Sequence, residues 1–268
     1  MSTAHGMSVQ RSGRAPVLRN LPEETPVAMV FDGTTHGVMM ATPEDIEDFA
    51  MGFAMTEGFV ETLDQVEGFE IVPHDNGIEA RFWLPDARAE ALKARRRAMM
   101  GPVGCGLCGI DSLDQALRPL PVLPGGGPRF DVREVAIATD LLRDHQPLHD
   151  MTRATHAAGF LVPGEGIALA REDVGRHNAL DKLIGALLRA GLDPSTGAIV
   201  LTSRVSVEMV QKTVIAGART LIAVSAPTAH ALRLARGAGL TLAAFARGGG
   251  FDIYSRPERI IDGDEHVA

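Results

Sequence analysis

Cys105 and Cys108 are the two cysteines of this 268-residue chain, set three residues apart in Met100-Gly101-Pro102-Val103-Gly104-Cys105-Gly106-Leu107-Cys108-Gly109. Four glycines and a proline disfavour regular structure there, since each glycine costs about 1 kcal/mol relative to alanine in a helix interior. The run therefore reads as an exposed loop that presents sulfur, a poor setting for a thiol buried as a small hydrophobe. Three chemistries suit such a loop: metal ligation, thiol–disulfide exchange and the carriage of sulfur. Lys93, Arg95, Arg96 and Arg97 stand immediately upstream. They form either a solvated helix face or a local positive field that favours a thiolate, whose ordinary pKa is about 8.5.

Four further stretches carry groups able to bind or react. Arg247-Gly248-Gly249-Gly250 follows an apolar segment and offers closely spaced backbone N–H groups beside a guanidinium, a combination suited to a phosphate or diphosphate. Glycine-rich hairpin turns share that composition, so the run is a weak signal by itself. Arg171-Glu172-Asp173-Val174-Gly175-Arg176-His177-Asn178 concentrates charge where an apolar strand meets an apolar helix. Helix capping by Asp173 with internal salt bridges accounts for part of it, and ligand binding for the rest. Ser203 and Arg204 follow another apolar run. His156 opens an apolar strand, where a lone histidine is more often a satisfied core residue than a catalyst. A zinc deaminase needs His/Cys-x-Glu followed by Pro-Cys-x-x-Cys. Here Cys-x-x-Cys comes first, no proline precedes it, and Ala157-Ala158 follow His156, so no metal site is expected. Neither a dinucleotide fingerprint nor a Walker-type phosphate loop occurs.

These groups need elements to hold them. In the first half, Pro26 to Phe31 and Gly37 to Met40 pair across Asp32-Gly33. Thr42-Pro43-Glu44-Asp45 opens a helix with Thr42 as N-cap, which Gly58 ends. Val66 to Pro73 and Gly77 to Leu84 form a second hairpin, and Asp86 to Met99 and Asp111 to Leu117 read as helices. Pro119 to Pro128 is a Pro/Gly-rich linker. Beyond it come a helix over Val132 to Leu142, paired strands over Thr155 to Val162 and Gly166 to Arg171, and an amphipathic helix over Arg176 to Ala190. Strands at Ala198 to Thr202, Thr220 to Ser225 and Leu240 to Ala246 then alternate with helices at Val205 to Ala216 and Pro227 to Arg236. That alternation indicates parallel pairing with right-handed crossovers, and ligands of such sheets bind at the carboxyl ends of the strands. The expected class is α/β: a flexible tail over 1–25, a small α+β domain over 26–118 ending in the cysteine loop, a linker over 119–129, and an α/β domain over 130–268.

A net charge of −8 argues against bulk nucleic-acid binding. No apolar run approaches the ~18–20 residues of a membrane span, and Met1 to Asn20 lacks the apolar core of a secretory signal. A cytoplasmic protein is expected, in which two thiols are catalytic or metal-binding and no disulfide framework exists.

In combination the motifs resemble the formate dehydrogenase accessory sulfurtransferase (FdhD) family. The resemblance rests on Gly104 to Gly109, Thr155-His156-Ala157-Ala158, the fifteen residues from Arg171 to Gly185, Ser203-Arg204-Val205-Ser206 and Phe245-Ala246-Arg247-Gly248, in order over most of the chain from Thr42 to Tyr254. It implies a three-layer C-terminal domain of cytidine-deaminase-like fold without zinc chemistry. It implies a sulfurtransferase that accepts sulfur from a cysteine desulfurase as a persulfide on Cys105. The recipient is the molybdenum or tungsten cofactor carrying two pterin guanine dinucleotides, required by formate dehydrogenase. It maps guanine-dinucleotide binding onto Phe245, Ala246, Arg247, Gly248, Gly249 and Gly250, although three consecutive glycines depart from the family's usual pattern. His156, Asp173, Arg176, His177, Asn178, Ser203 and Arg204 complete the candidate cofactor-binding set, and a homodimer is expected. Cys108 either accepts the sulfur transiently or resolves Cys105 as a disulfide. Two other hypotheses stay open: a non-catalytic chaperone that holds the cofactor with the cysteines dispensable, and a thiol–disulfide oxidoreductase. Against the latter, thioredoxin-like pairs sit at a helix N-terminus, which glycines on both sides of Cys105 do not favour.

Overall fold

The computed structural model describes residues 1–86 and 120–262. Cys105 and Cys108, the basic run from Lys93 to Arg97 and the helix expected at Asp111 to Leu117 lie outside the described residues, as does all but the first residue of the helix expected from Asp86. At the N-terminus the expected tail is instead a hairpin: β1 (Ser2–Gln10) pairs antiparallel with β2 (Gly13–Leu21). Its backbone ladder pairs Ser2 with Leu21 and Gln10 with Gly13, so it closes without a core of its own, and Met7, Val9 and Leu18 stay exposed. Composition alone concealed it because few of its residues are buried.

The small unit is a four-stranded sheet with one helix. β3 (Thr25–Phe31) and β4 (Thr34–Ala41) pair antiparallel across Asp32 and Gly33, whose φ values of 48° and 73° fit the two-residue turn that matches strand twist. β5 (Gly68–His74) and β6 (Gly77–Trp83) form the second hairpin, and β6 lies parallel to β3, giving the order β4-β3-β6-β5. α1 (Ile46–Thr56) covers this sheet, burying Phe49, Ala50 and Ala54 against Val27, Met29, Phe31 and Phe82. Thr42 is not its N-cap. Asp45 occupies that position in a left-handed conformation, and Thr42 is engaged elsewhere: its hydroxyl accepts from the Val174 backbone N–H at 3.1 Å.

The larger unit is a six-stranded mixed sheet between helical layers. After β7 (Phe130–Asp131), α2 (Val132–Arg143) starts with a capping box between Asp131 and Glu134. A short α3 (Pro147–Thr152) leads into the hairpin of β8 (His156–Val162) and β9 (Gly166–Asp173). Then follow α4 (Arg176–Arg189), β10 (Ala198–Leu201), α5 (Val207–Ile215), β11 (Thr220–Ala223), α6 (Ala229–Ala238), β12 (Thr241–Arg247) and β13 (Gly250–Ser255). β10, β11 and β12 are parallel, as their intervening helices require, while β8 and β13 run antiparallel to their neighbours, in the order β13-β12-β11-β10-β8-β9.

Side chains alternate between the two faces with the period of a strand. Ala157, Leu161, Ala198, Val200, Ile222 and Ala243 pack under α2. Ala158, Phe160, Ile199, Leu201, Leu221 and Leu242 pack under α4, α5 and α6. β14 (Ile260–Ile261) returns to pair with β7. The Pro/Gly-rich stretch before β7 is tied down: Leu123 N–H donates to Ala238 O at 2.9 Å, and buried Arg259 donates to the carbonyls of Gly126 and Gly239.

The two units meet where α1 crosses α4, and glycines allow it. A Cβ on Gly52 would fall 1.8 Å from Asp181 O, and one on Gly185 would fall 1.8 Å from Asp48 O. Ion pairs flank the crossing. Asp48, buried, receives Arg171 Nε at 2.8 Å and the Arg189 guanidinium. Lys212 donates to Asp181 at 2.9 Å, to Glu57 at 3.0 Å and to the Thr56 hydroxyl at 2.9 Å. Burial works against the Lys212 ammonium, but Asp181 and Glu57 outweigh it and hold its pKa above the ordinary lysine value.

Candidate functional site

β10, β11 and β12 end at one edge of the sheet, and β8, running the other way, begins there. α2 and α3 overhang that edge and enclose a cleft of about 550 Å³. Thr139, Asp140 and Arg143 line it from α2, and His149 from α3. Arg153, Ala154 and Thr155 follow on the turn after α3, and His156, Thr202, Val224 and Arg247 line it from the strand ends. The carboxyl-end position expected for a ligand site of a parallel sheet is thus occupied by a cleft with charged side chains in its lining.

Three guanidinium groups, two imidazoles and one carboxylate, Asp140, line the cleft. Asp150 also pairs with Arg143 and, at 3.7 Å, with Arg153, and the cations still outnumber these two carboxylates, so the cleft favours an anion. Arg143 engages Asp150 through Nη2, while its buried Nη1 has no hydrogen-bond partner among the described residues. His156 is half-buried, and burial, then Arg176, His149 and His177, lower its pKa below the ordinary histidine value. It is therefore neutral near pH 7 and stands ready to accept a proton when an anion arrives.

One carboxylate shapes this wall from behind. Glu172 accepts from the backbone N–H groups of Leu148 at 2.7 Å and His149 at 2.8 Å, and from the Thr155 hydroxyl at 2.9 Å. His149 Nδ1 lies 3.0 Å from Thr155 O. A carbonyl oxygen can only accept, so Nδ1 carries the proton and His149 Nε2 is left for other partners.

The candidates read from sequence divide sharply. Arg247 and His156 line the cleft. Ala246 is fully buried behind it and accepts from the Thr139 hydroxyl at 2.5 Å. Phe245 is partly exposed with φ 54° and lies 6.4 Å, centroid to centroid, from Tyr254. Gly248 and Gly249 have φ values of 62° and 78° and form the two-residue turn that lets Gly250 pair back with Arg247. The hairpin accounts for these two glycines, so their identity is no argument for a phosphate cradle.

Asp173 and Asn178 hold the units together and do not line the cleft. Asp173 is fully buried and accepts from Thr42 N–H at 2.9 Å, Gly175 N–H at 2.8 Å and Asn178 Nδ2 at 2.9 Å, with Lys182 Nζ at 2.8 Å. Asn178 Nδ2 also donates to Met40 O at 2.8 Å. Arg176 and His177 begin α4 beside the cleft, near enough to act on His156 through their charge. His177 Nε2 lies 3.8 Å from Glu208, whose pKa is lowered to about 2, mainly by the nearby His177. Ser203 is buried with its hydroxyl on Arg204 O at 3.2 Å, and Arg204 is exposed.

Sequence reasoning missed Asp140, Arg143, His149 and Arg153. The signal was weak: Val132 to Leu142 reads as an ordinary helix and no element is read over Pro147–Thr152, and only the packing of α2 and α3 by the strand ends brings these side chains to the cleft. Among the described residues, no group of three or more His, Cys, Asp or Glu stands close enough to hold a metal ion, and no helix is long and apolar enough to cross a membrane.

Comparisons with known proteins agree with this architecture. The model of the FdhD/NarQ family matches residues 22–261. The sulfur carrier protein FdhD of Brucella abortus is 52% identical over 258 residues, covering 96% of each chain. That of Agrobacterium fabrum is 50% identical over 243 residues, covering 91% of this chain and 90% of its own. A crystal structure of a formate dehydrogenase accessory protein from Desulfotalea psychrophila superposes with a TM-score of 0.76 at 22% identity, over 97% of this chain and 99% of that one, a likeness of fold.

Proposed function

Because the chain belongs to the FdhD/NarQ family, we propose that it is a sulfur carrier serving formate dehydrogenase. It receives sulfur from a cysteine desulfurase on Cys105 and delivers it to the molybdenum cofactor bearing two pterin guanine dinucleotides, which it binds as substrate. The names of its relatives support the carrier role. The observation that carries the acceptor half is the cationic cleft, where Arg143, Arg153 and Arg247 outnumber Asp140 on the lining and Asp150, which pairs with the first two. A diphosphate needs several convergent guanidinium donors, and this cleft supplies them.

The chemistry balances with the two thiols. The Cys105 thiolate attacks the outer sulfur of the donor persulfide, a new S–S bond forms, and the donor leaves as a thiolate. Cys108 then attacks the inner sulfur of the Cys105 persulfide, so hydrosulfide departs toward the cofactor and a Cys105–Cys108 disulfide forms. Two equivalents of an external thiol, leaving as their own disulfide, reduce that disulfide to restore the carrier. The glycine-rich setting of both cysteines in the sequence supports this exchange.

The same reading assigns residues 26–118 to a sulfur-bearing unit and 130–268 to a cofactor-binding unit of cytidine-deaminase-like architecture. Its order of a strand pair followed by alternating helices and parallel strands favours that assignment. A cytoplasmic location and a homodimer complete the reading. Intact-protein mass spectrometry tests its first half: a desulfurase should add one sulfur to the wild-type chain and none to Cys105→Ala. Full labelling of the variant would sink the assignment. Calorimetric titration with guanosine diphosphate tests the second, and no binding to the wild-type chain would reject the cleft as acceptor site.

A further inference from the structure

We propose that Glu172 is the positioning residue of the cleft, setting His149, Arg153 and His156 at the spacing an anionic ligand requires; the inference rests on the reading of this cleft as an anion site. Glu172 touches no cleft space itself. Its carboxylate sits at the end of β9 and gathers two backbone N–H groups of α3 with the hydroxyl of Thr155.

The geometry makes this a lock rather than a routine cap. α3 has six residues, too short to hold its shape by itself, and Gln146 at its N-cap makes no side-chain cap hydrogen bond. Its first-turn N–H groups at Leu148 and His149 are instead satisfied by a carboxylate arriving from a strand 23 to 24 residues away. A helix N-terminus with a carboxylate on its free N–H groups is electrostatically favoured. The third contact ties the same carboxylate to Thr155, which directly precedes His156 and whose carbonyl fixes the His149 ring through Nδ1. Two imidazoles on different elements are thereby referred to one anchor. Arg153 follows α3 in a left-handed conformation, φ 59°, so its direction depends on the same turn.

Charge matters as well as shape. A carboxylate has two acceptor oxygens, and here Oε1 serves both His149 N–H and Thr155 Oγ1 while Oε2 serves Leu148 N–H. A glutamine in its place has one acceptor oxygen, and its NH₂ would face at least one N–H donor. Glu172→Gln therefore keeps the size of the side chain and breaks the lock.

The test uses the full chain and inorganic pyrophosphate as probe, measured by calorimetry for wild type, Glu172→Gln and, as a control on the exposed β8–β9 turn, Glu165→Gln. Glu172→Gln should weaken pyrophosphate binding about tenfold or more, and Glu165→Gln by less than twofold. Nitrogen-15 chemical shifts should show His149 losing its fixed Nδ1–H form in Glu172→Gln. Hydrogen exchange should speed up at the amides of Leu148 and His149, while those of β10 and β11 stay protected. A structural role confined to global stability would speed exchange everywhere and leave the affinity of the folded fraction unchanged. Equal affinity for pyrophosphate in wild type and Glu172→Gln, with the His149 form unchanged, would overturn the proposal. Should Glu172→Gln fail to fold, Glu172→Asp carries the same readouts, because its shorter side chain cannot reach α3 and Thr155 together. A wild-type chain that binds neither pyrophosphate nor guanosine diphosphate would instead reject the cleft as an anion site.

Discussion

Lys182 Nζ lies 2.8 Å from Asp173 Oδ2, and neither side chain is exposed to solvent. The pair also spans the two units: Asp173 accepts from the backbone N–H of Thr42, and Lys182 donates to Thr42 O at 2.9 Å. Asp173 stands at the end of β9, one residue before Val174 on the cleft wall, yet its carboxylate points into the junction and is fully used there.

Removing one member of this pair should therefore unfold the protein before it affects ligand binding. Asp173→Ala leaves a buried ammonium without its counter-charge and should cost about 3–5 kcal/mol in denaturant unfolding. Whatever fraction stays folded should bind pyrophosphate with wild-type affinity. Loss of affinity without loss of stability would return Asp173 to the binding set.

The glycine contact at the helix crossing predicts an unusual intolerance to a single methyl group. In Gly52→Ala or Gly185→Ala the new Cβ meets backbone, which has no rotamer by which to move aside. Each should cost at least ~1–3 kcal/mol, the range of overpacking in well-filled cores. Chemical denaturation of either variant at wild-type stability would contradict the close approach of α1 and α4.

Arg247 predicts the strength of the cleft. Hydrogen bonds to charged groups contribute about 1.5–3 kcal/mol, so Arg247→Ala should weaken guanosine diphosphate binding by roughly ten- to a hundredfold. The salt dependence of the affinity should become shallower, because one fewer cation meets the ligand. An unchanged affinity would place the phosphates elsewhere.

His156 supplies a pH signature. Its folded-state pKa lies below the ordinary 6.5, chiefly through burial. In the free chain its imidazole signals should thus titrate with a midpoint under 6.5. The unfolded chain takes up this proton first as pH falls, so stability declines from about pH 6.5 downward. A polyanion in the cleft reverses the electrostatic part of the shift, and saturating guanosine diphosphate should move the midpoint upward. A midpoint indifferent to ligand would separate His156 from the anion.

Glu208 acts in the same direction but in a lower pH range. Its pKa falls from 4.5 in the unfolded reference to about 2 when folded, first through His177, whose Nε2 lies 3.8 Å away. A depressed carboxyl stabilises the fold above pH 4.5, and that stabilisation is lost as pH falls toward 2. Glu208→Gln should flatten the decline of unfolding free energy between pH 4.5 and 2. A slope identical to wild type would remove Glu208 from the acid response.

The sequence by itself determined the class and most elements of the two main sheets, though neither the β1–β2 hairpin nor α3. Period-two apolar runs and their glycine turns marked β3 through β6, the alternation after Gly166 marked the parallel core of the larger sheet, and Leu180, Leu183, Ile184 and Leu187 marked the buried face of α4. These are local facts, because side-chain period and turn chemistry are settled within a few residues. Of the cleft residues, Arg247 is legible at the end of its strand, whereas His156 reads locally as a core histidine and joins the candidates through the family resemblance. The division of labour among the polar groups was settled only by tertiary structure. Asp173 and Asn178 look like ligand groups until Thr42 and Met40 arrive from 131 and 138 residues away to engage them. Arg143, His149 and Arg153 look like solvated surface until α2 and α3 fold over the strand ends. A charge in a sequence has no partner yet; packing alone decides whether its counter-charge is another part of the chain or is left for a ligand to supply.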